Sequence, residues 1–388
     1  MGKNEKVQNK KTIKTPGKHK LYLSDNAVEI LEKRYLKKDA NGKPTEKPEA
    51  MFERVAKHIA EADKNYGASK EDIKRTEVRF YNAMVDLDFL PNSPTLRGAG
   101  RSIHQLSACF VLPVDDTMEG IFGALKNMAL VHKGGGGTGF SFGRLRPEGD
   151  KVGTTGGVAG GPLSFMQIFN TTAAEVMQGG TRVGANMGIL PIDHPDILKF
   201  IDAKQDGVSY QNFNLSVAVT DNFMKRLEKD DDYDLINPRN SEKWGKLNAK
   251  EVFEKMVNNA WKNGDPGIVF IDKINKDNFT PQLGKIESTN PCGEQPLLPF
   301  ESCNLGSINL ANMIKGKGTD WDHLRETIDL AVHFLDNVID MNKYSVPEIE
   351  KMSRGNRKIG LGVMGWADML IRLGLRYDSE EATKLAED

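Results

Sequence analysis

Ser288-Thr-Asn-Pro-Cys-Gly-Glu-Gln-Pro-Leu-Leu-Pro-Phe-Glu-Ser-Cys-Asn-Leu-Gly-Ser-Ile-Asn-Leu310 holds two of the three cysteines of a 388-residue sequence, Cys292 and Cys303. Pro291, Pro296 and Pro299 fix φ and remove backbone donors, so this stretch reads as a stiff loop rather than a helix or a central strand. Cys292 then stands on a rigid support, with Asn290 and Glu294 each two residues away. A thiol held between an amide and a carboxylate suits catalysis. A lone cysteine also serves as a small buried hydrophobe, and the residues alone leave that reading open.

Outward from the loop, the chain alternates between two textures. β-like runs at 107–114, 138–144, 185–190, 213–220 and 284–288 read as strands. Helical patterns fall around 119–131, 162–177, 195–203, 222–229 and 250–263. Strands alternating with helices argue for parallel βαβ units. After the loop come a long helix at 319–341, a sixth strand at 358–363 and a helix from Trp366. Upstream, a capped start at Ser24 and periodic apolar residues near 48–62 and 70–87 predict an all-helical segment. Asp230-Asp-Asp232 reads as a solvated loop. Residues 1–20 carry seven lysines and one acid, which predicts a disordered basic tail over 1–22.

Composition narrows the function classes. The sequence is 38% hydrophobic and 28% charged, enough to bury a sizeable core, and its net charge of −1 gives no support for a nucleic-acid partner. No apolar run approaches the ~20 residues of a spanning helix, which speaks against a membrane partner. Three cysteines without CxxC spacing give no metal site and predict a reducing, cytoplasmic setting.

Two glycine loops flank predicted strands. His132-Lys-Gly-Gly-Gly-Gly-Thr-Gly139 precedes one strand, with Arg144 and Arg146 beyond it, and Gly179-Gly-Thr-Arg-Val-Gly184 precedes the next. Backbone without Cβ lets a phosphate approach, successive N–H groups can form an anion nest, and guanidinium pairs bidentately with phosphate. Neither loop is a Walker A or a GxGxxG motif. Pro91-Asn-Ser-Pro-Thr95 adds hydroxyls on a turn, and Cys109 sits in the first strand, where it could be core or could meet the other two cysteines.

These segments, in this order, resemble the catalytic chain of ribonucleotide reductase, and specifically the class II, adenosylcobalamin-dependent enzymes. Asn290-Pro-Cys-Gly-Glu294 and Glu301-Ser-Cys-Asn-Leu-Gly-Ser-Ile-Asn309 carry the resemblance. With them go Pro91-Asn-Ser-Pro-Thr-Leu96, the two glycine loops, and Ile359-Gly-Leu-Gly-Val-Met-Gly-Trp-Ala-Asp368. The Asn-Pro-Cys-Gly-Glu form, without an ATP-cone-like segment before it, points to class II; class I is the alternative, and a non-catalytic nucleotide-binding fragment is another.

The resemblance implies the following roles. Cys292 carries the thiyl radical, Glu294 is the base at the 3′ hydroxyl, and Asn290 hydrogen-bonds the substrate. Cys109 and Cys303 form the pair that supplies reducing equivalents. Ser93, Ser107, Ala108, Gly136 and Gly137 bind substrate, leaning to a diphosphate. Asp116, Arg146 and Arg182 contact a dNTP or ATP effector at a homodimer interface, and the loop 179–186 relays effector identity to the substrate base. A thioredoxin- or glutaredoxin-type reductant restores the dithiol. The implied fold is α/β: a helical segment over 23–88, then over 89–388 the first part of a ten-stranded α/β barrel. The family's remaining strands, its Pro-Thr-rich phosphate loop and its C-terminal cysteine pair lack counterparts here. The expectation is therefore an incomplete barrel that works with a complementing C-terminal half chain.

Overall fold

The computed structural model describes residues 21–102, 105–153, 156–178 and 182–388, with only the backbone at Met177, Gln178, Arg182 and Val183. The predicted basic tail lies almost wholly outside the described residues. The chain forms two compact units that interleave along the sequence. One comprises residues up to Ser102, Leu305–Met341 and Leu361–Asp388; the other comprises Ile103–Asn304 and Asn342–Gly360.

The first unit is mainly helical. Asp25–Arg34 starts on Ser24, whose hydroxyl accepts the Ala27 N–H, and Lys70–Val85 starts on a full Ser69/Asp72 capping box. Pro48–Ala60 and Trp321–Met341 supply the other long helices. Their apolar stripes meet around Phe334, which packs edge-on against Phe80 at 4.9 Å and Phe89 at 5.3 Å. The short strand Phe89–Pro91 pairs antiparallel with Gly306–Ile308. The helix Trp366–Leu373 also belongs here.

The second unit is the α/β part, and it explains where the site sits. Five parallel strands lie side by side in chain order: Cys109–Val111, Gly137–Ser141, Asn186–Pro191, Phe213–Val219 and Gly267–Phe270. Each is the strand of a βα unit laid beside the one before, the arrangement expected of half a barrel. The first four strands are mostly buried, and Gly267–Phe270 at the edge is mostly exposed. Phe140, Phe142, Phe169 and Phe213 form the centre of the core, with ring centroids 5.1–6.1 Å apart. Ser302–Asn304 begins an antiparallel strand against Phe110 and Cys109.

The α/β class, the helical amino-terminal segment and four of the five leading strands are as the sequence reading has them. Three details are corrected. The fifth strand is Gly267–Phe270, not 284–288, where only Ser288–Thr289 is extended. The stretch around Asp230–Asp232 is not simply a loop, for Asp232–Ile236 and Lys243–Asn248 form an antiparallel hairpin. The cysteine stretch is a loop only as far as its last proline, because Ser302–Asn309 is a strand. Pro299 ends the restriction, and the residues after it keep every ladder donor.

Candidate active site

The residues Ser288–Thr289 and Pro296–Leu297 pair antiparallel and make a two-rung stem. Asn290 closes the loop above it: its N–H donates to the Gln295 carbonyl at 3.1 Å, its carbonyl accepts the Gly293 N–H at 3.1 Å, and its Oδ1 accepts the Gln295 N–H at 2.9 Å. The result is a finger with Cys292 at its tip. Cys292 is exposed, Asn290 is buried, and none of the three cysteines is in a disulfide.

The finger lies across the sheet because two glycines leave room for it. A Cβ on Gly139 would stand 1.7 Å from the Thr289 carbonyl oxygen, and one on Gly137 would stand 2.7 Å from the Pro291 ring. Asn214 donates to the Pro291 carbonyl at 2.6 Å, and Arg144 forks onto Glu287 at 2.9 and 3.1 Å at the base of the finger. The glycine run thus serves protein against protein. Its N–H groups are spent likewise: Gly135 donates to His132, Gly136 to Val131 and Gly137 to the Ala108 carbonyl at 2.8 Å. The expected anion nest is a helix C-cap instead.

Four of the predicted site residues meet where the finger crosses the sheet. The Asn290 amide donates to Cys109 Sγ at 3.1 Å, and the Cys109 thiol points to Glu294 Oε1 at 3.9 Å. Cys303 stands directly opposite Cys109 in the register of adjacent antiparallel strands. Opposed residues in such a pair have Cα atoms about 4.5–5.5 Å apart, inside the window a disulfide needs. Burial, and then the nearby Glu294 carboxylate, push the Cys303 thiol up to about 12, while Lys358 pulls the other way. The same two causes, in the same order, raise Cys109 further still. Both groups are therefore protonated thiols at neutral pH.

Ser107 is buried beneath this pair, accepting from Asn342 at 3.3 Å, and the Ala108 N–H donates to the Cys303 carbonyl at 3.2 Å. Glu301 is fully buried and takes three donors: the Leu298 N–H at 2.6 Å, Asn356 at 2.5 Å and Lys358 at 2.7 Å. The sequence reading quoted Glu301 in its motif without a role. Two of its three partners, Asn356 and Lys358, are more than fifty residues away, and no local pattern reveals them.

The other predicted residues fall elsewhere. Asp116 and Arg146 come together, with Arg146 Nε donating to Asp116 Oδ2 at 2.8 Å. Arg144 and Arg146 are both occupied by carboxylates, so neither is an idle guanidinium. The side chain of Arg182 lies outside the described residues, as do 179–181 of its loop; the backbone of Arg182 pairs with Gln178. Ser93 belongs to the first unit, where it opens the short helix Ser93–Gly98 and its hydroxyl meets that of Tyr35 at 2.8 Å. Among the described residues no group of side chains could hold a metal ion, and no helix is long and apolar enough to cross a membrane.

One chemical test follows from burial. A small alkylating agent at neutral pH is expected to label Cys292 and spare Cys109 and Cys303 in the folded chain, because reaction needs an accessible thiolate. Peptide mass spectrometry reads the sites, and labelling of all three at equal rates would contradict this packing.

Comparison with known proteins gives a consistent picture. Residues 107–388 match the family described as ribonucleotide reductase, barrel domain, and residues 21–104 match ribonucleotide reductase, all-alpha domain. The vitamin B12-dependent ribonucleoside-diphosphate reductase of Thermoplasma acidophilum is 49% identical over 95% of this chain and 55% of its own length. The protein of the same description from Mycobacterium tuberculosis (strain CDC 1551 / Oshkosh) is 47% identical over 94% and 53%. The ribonucleoside-diphosphate reductase subunit alpha of Chlamydia muridarum is 31% identical over 95% and 38%. The chain thus spans about half the length of the B12-dependent relatives it matches at 47–49%.

Proposed function

The chain belongs to the ribonucleotide reductase family, and from that premise we propose that it carries the radical-cysteine site of a cobalamin-dependent enzyme that reduces ribonucleoside diphosphates to 2′-deoxyribonucleotides. The observation that supports this best is the division of the thiols: one exposed on a finger, two buried, opposed and protonated beneath it. The 47–49% identity to the two vitamin B12-dependent ribonucleoside-diphosphate reductases, against 31% to the subunit alpha of Chlamydia muridarum, favours class II.

Adenosylcobalamin, when bound, supplies a carbon-centred radical that can take a hydrogen atom from a thiol. The residues present fit a bulky external donor, since Cys292 alone is exposed while Cys109 and Cys303 are closed off. The Cys292 thiyl takes the 3′ hydrogen of the ribose. Glu294 receives the 3′ hydroxyl proton, a short reach from the same loop. The 2′ hydroxyl leaves as water with a proton from the buried pair, whose raised pKa values keep it charged with hydrogen. Cys109 and Cys303 supply two electrons, give their second proton to C2′ and become a disulfide; Glu294 returns its proton to the 3′ oxygen, and Cys292 returns the 3′ hydrogen and is again the thiyl. A thioredoxin- or glutaredoxin-type dithiol then restores the pair by exchange.

Turnover is a property of the whole barrel. The activity is accordingly proposed for this chain completed by a complementing C-terminal half chain, in a homodimer regulated by dNTP or ATP. The test is deoxynucleotide formation by the completed enzyme with and without adenosylcobalamin. Turnover only with the cofactor supports the reading; turnover without it, given a metal-radical partner subunit, would move the chain to class I. Nucleotide binding with no turnover at all would leave the fragment reading. In the same assay Cys303→Ser is expected to spare 3′-hydrogen exchange and stop multiple turnovers, and sustained turnover would remove Cys303 from the redox pair.

A further inference from the structure

The hairpin Asp232–Asn248, unforeseen from the sequence, ends on a folded tip. Asn237 is completely buried there: its carbonyl accepts the Ser241 N–H at 2.8 Å, its Oδ1 accepts the Arg239 N–H at 3.0 Å, and its own N–H donates to the Glu242 carbonyl at 2.9 Å. This fixes the direction in which Arg239 leaves the turn. Arg239 forks onto Asp150, Nε to Oδ2 at 2.8 Å and a terminal nitrogen to Oδ1 at 3.0 Å, and Asn237 Nδ2 adds a third bond to Oδ2 at 2.9 Å. The guanidinium beside Asp150 holds its carboxyl well below the usual carboxylate range.

Asp150 is not an end point. Its Oδ1 also accepts the Lys151 N–H at 2.8 Å, and the Lys151 carbonyl accepts Arg146 at 3.0 Å. Arg146 in turn grips Asp116. From the other side, Asp196 takes the Glu148 N–H at 2.9 Å and His194 bonds the Leu145 carbonyl at 2.9 Å. The segment 145–151, which carries Arg146, is thus held at three points, Leu145, Glu148 and Asp150, by side chains that themselves do no proposed chemistry.

We propose that the hairpin is a brace for the effector site: Arg239, acting through Asp150 and the Lys151 carbonyl, holds the Arg146 guanidinium in the orientation that receives the phosphates of a nucleoside triphosphate. This rests on the reading of Asp116 and Arg146 as effector contacts. Arg239 and Asp150 are positioning residues here. They set how much of the binding energy of Arg146 is realised, because a guanidinium fixed in advance loses less freedom on pairing.

The experiment is equilibrium binding of dTTP to the 388-residue chain, wild type against Arg239→Ala, Arg239→Lys, Asp150→Asn and the double variant Arg239→Ala/Asp150→Asn. Loss of either side of the brace is expected to weaken dTTP about tenfold, within the usual span of coupling between linked sites. The double variant is expected to match the single ones, since both break one chain of contacts, and Arg239→Lys is expected to recover part of the affinity. Unchanged cysteine labelling in each variant shows that the fold is intact. Wild-type affinity in Arg239→Ala overturns the inference alone. Additive losses in the double variant also overturn it, by making Arg239 a direct contact. Failure of the wild-type chain to bind dTTP removes the effector assignment and the inference with it.

Discussion

Cys292→Ala in the completed enzyme is expected to abolish deoxynucleotide formation and 3′-hydrogen exchange together. The loss should be on the order of 10⁶, the scale seen when a residue that bears the reacting atom is removed. Cys109 and Cys303 cannot stand in for it. They lie buried under the finger, and their raised pKa values keep them protonated, as the reductive step proposed for them requires. Stability should hardly move, because Cys292 is exposed and exposed substitutions usually stay within about 0.5 kcal/mol. An unchanged melting curve with dead chemistry separates the role from a folding defect. Product formed by the variant would refute Cys292 as the radical carrier.

Gly139→Ala is expected to be the most disruptive single methyl group in the site. The new Cβ would stand 1.7 Å from the Thr289 carbonyl oxygen, an atom of the backbone that no rotamer change can move aside. Either the strand Gly137–Ser141 or the finger must retreat by more than an ångström. Overpacking of this kind costs about 1–3 kcal/mol. A 1 Å misplacement of a reacting group costs about 10²-fold in rate. We expect a lower melting temperature, activity reduced at least that far, and new alkylation of Cys109 and Cys303 as the cover lifts. Gly123→Ala is the matched control: its Cβ would meet nothing within 4 Å, and alanine is about 1 kcal/mol the better helix former. Wild-type activity and melting in Gly139→Ala would show that the finger does not rest on the strand as described.

What the sequence could disclose depended on how far a signal travels along the chain. Four strands were legible because each is an apolar run bounded by glycine or polar turns. Gly267–Phe270 escaped because four residues between Pro266 and the helix Ile271–Lys276 are too few to show a period. The hairpin Asp232–Asn248 escaped for the opposite reason. Most of its residues are polar or charged and its second strand faces water, so no apolar alternation marks it. The residues proposed for the site stand in short motifs visible in the sequence, but what packs around them does not show there. The glycine run looked like a phosphate cradle, whereas the space beside Gly137 and Gly139 holds the finger itself. Contacts such as Arg239 to Asp150 or Lys358 to Glu301 join positions tens of residues apart, and local pattern cannot reach them.

The opposed placement of Cys109 and Cys303 reaches beyond redox chemistry. About half the chain lies between them, so the bond proposed for the end of the catalytic cycle would also be a staple across the fold. Closing a loop of that size removes about 5 kcal/mol of disorder from the unfolded chain in the entropic account. The two residues already face each other in register, so the bond would join neighbours the sheet has already brought together. On the proposed cycle the spent form would be the sturdier of the two, and reduction, which would ready the site, would also loosen the molecule that must do the work.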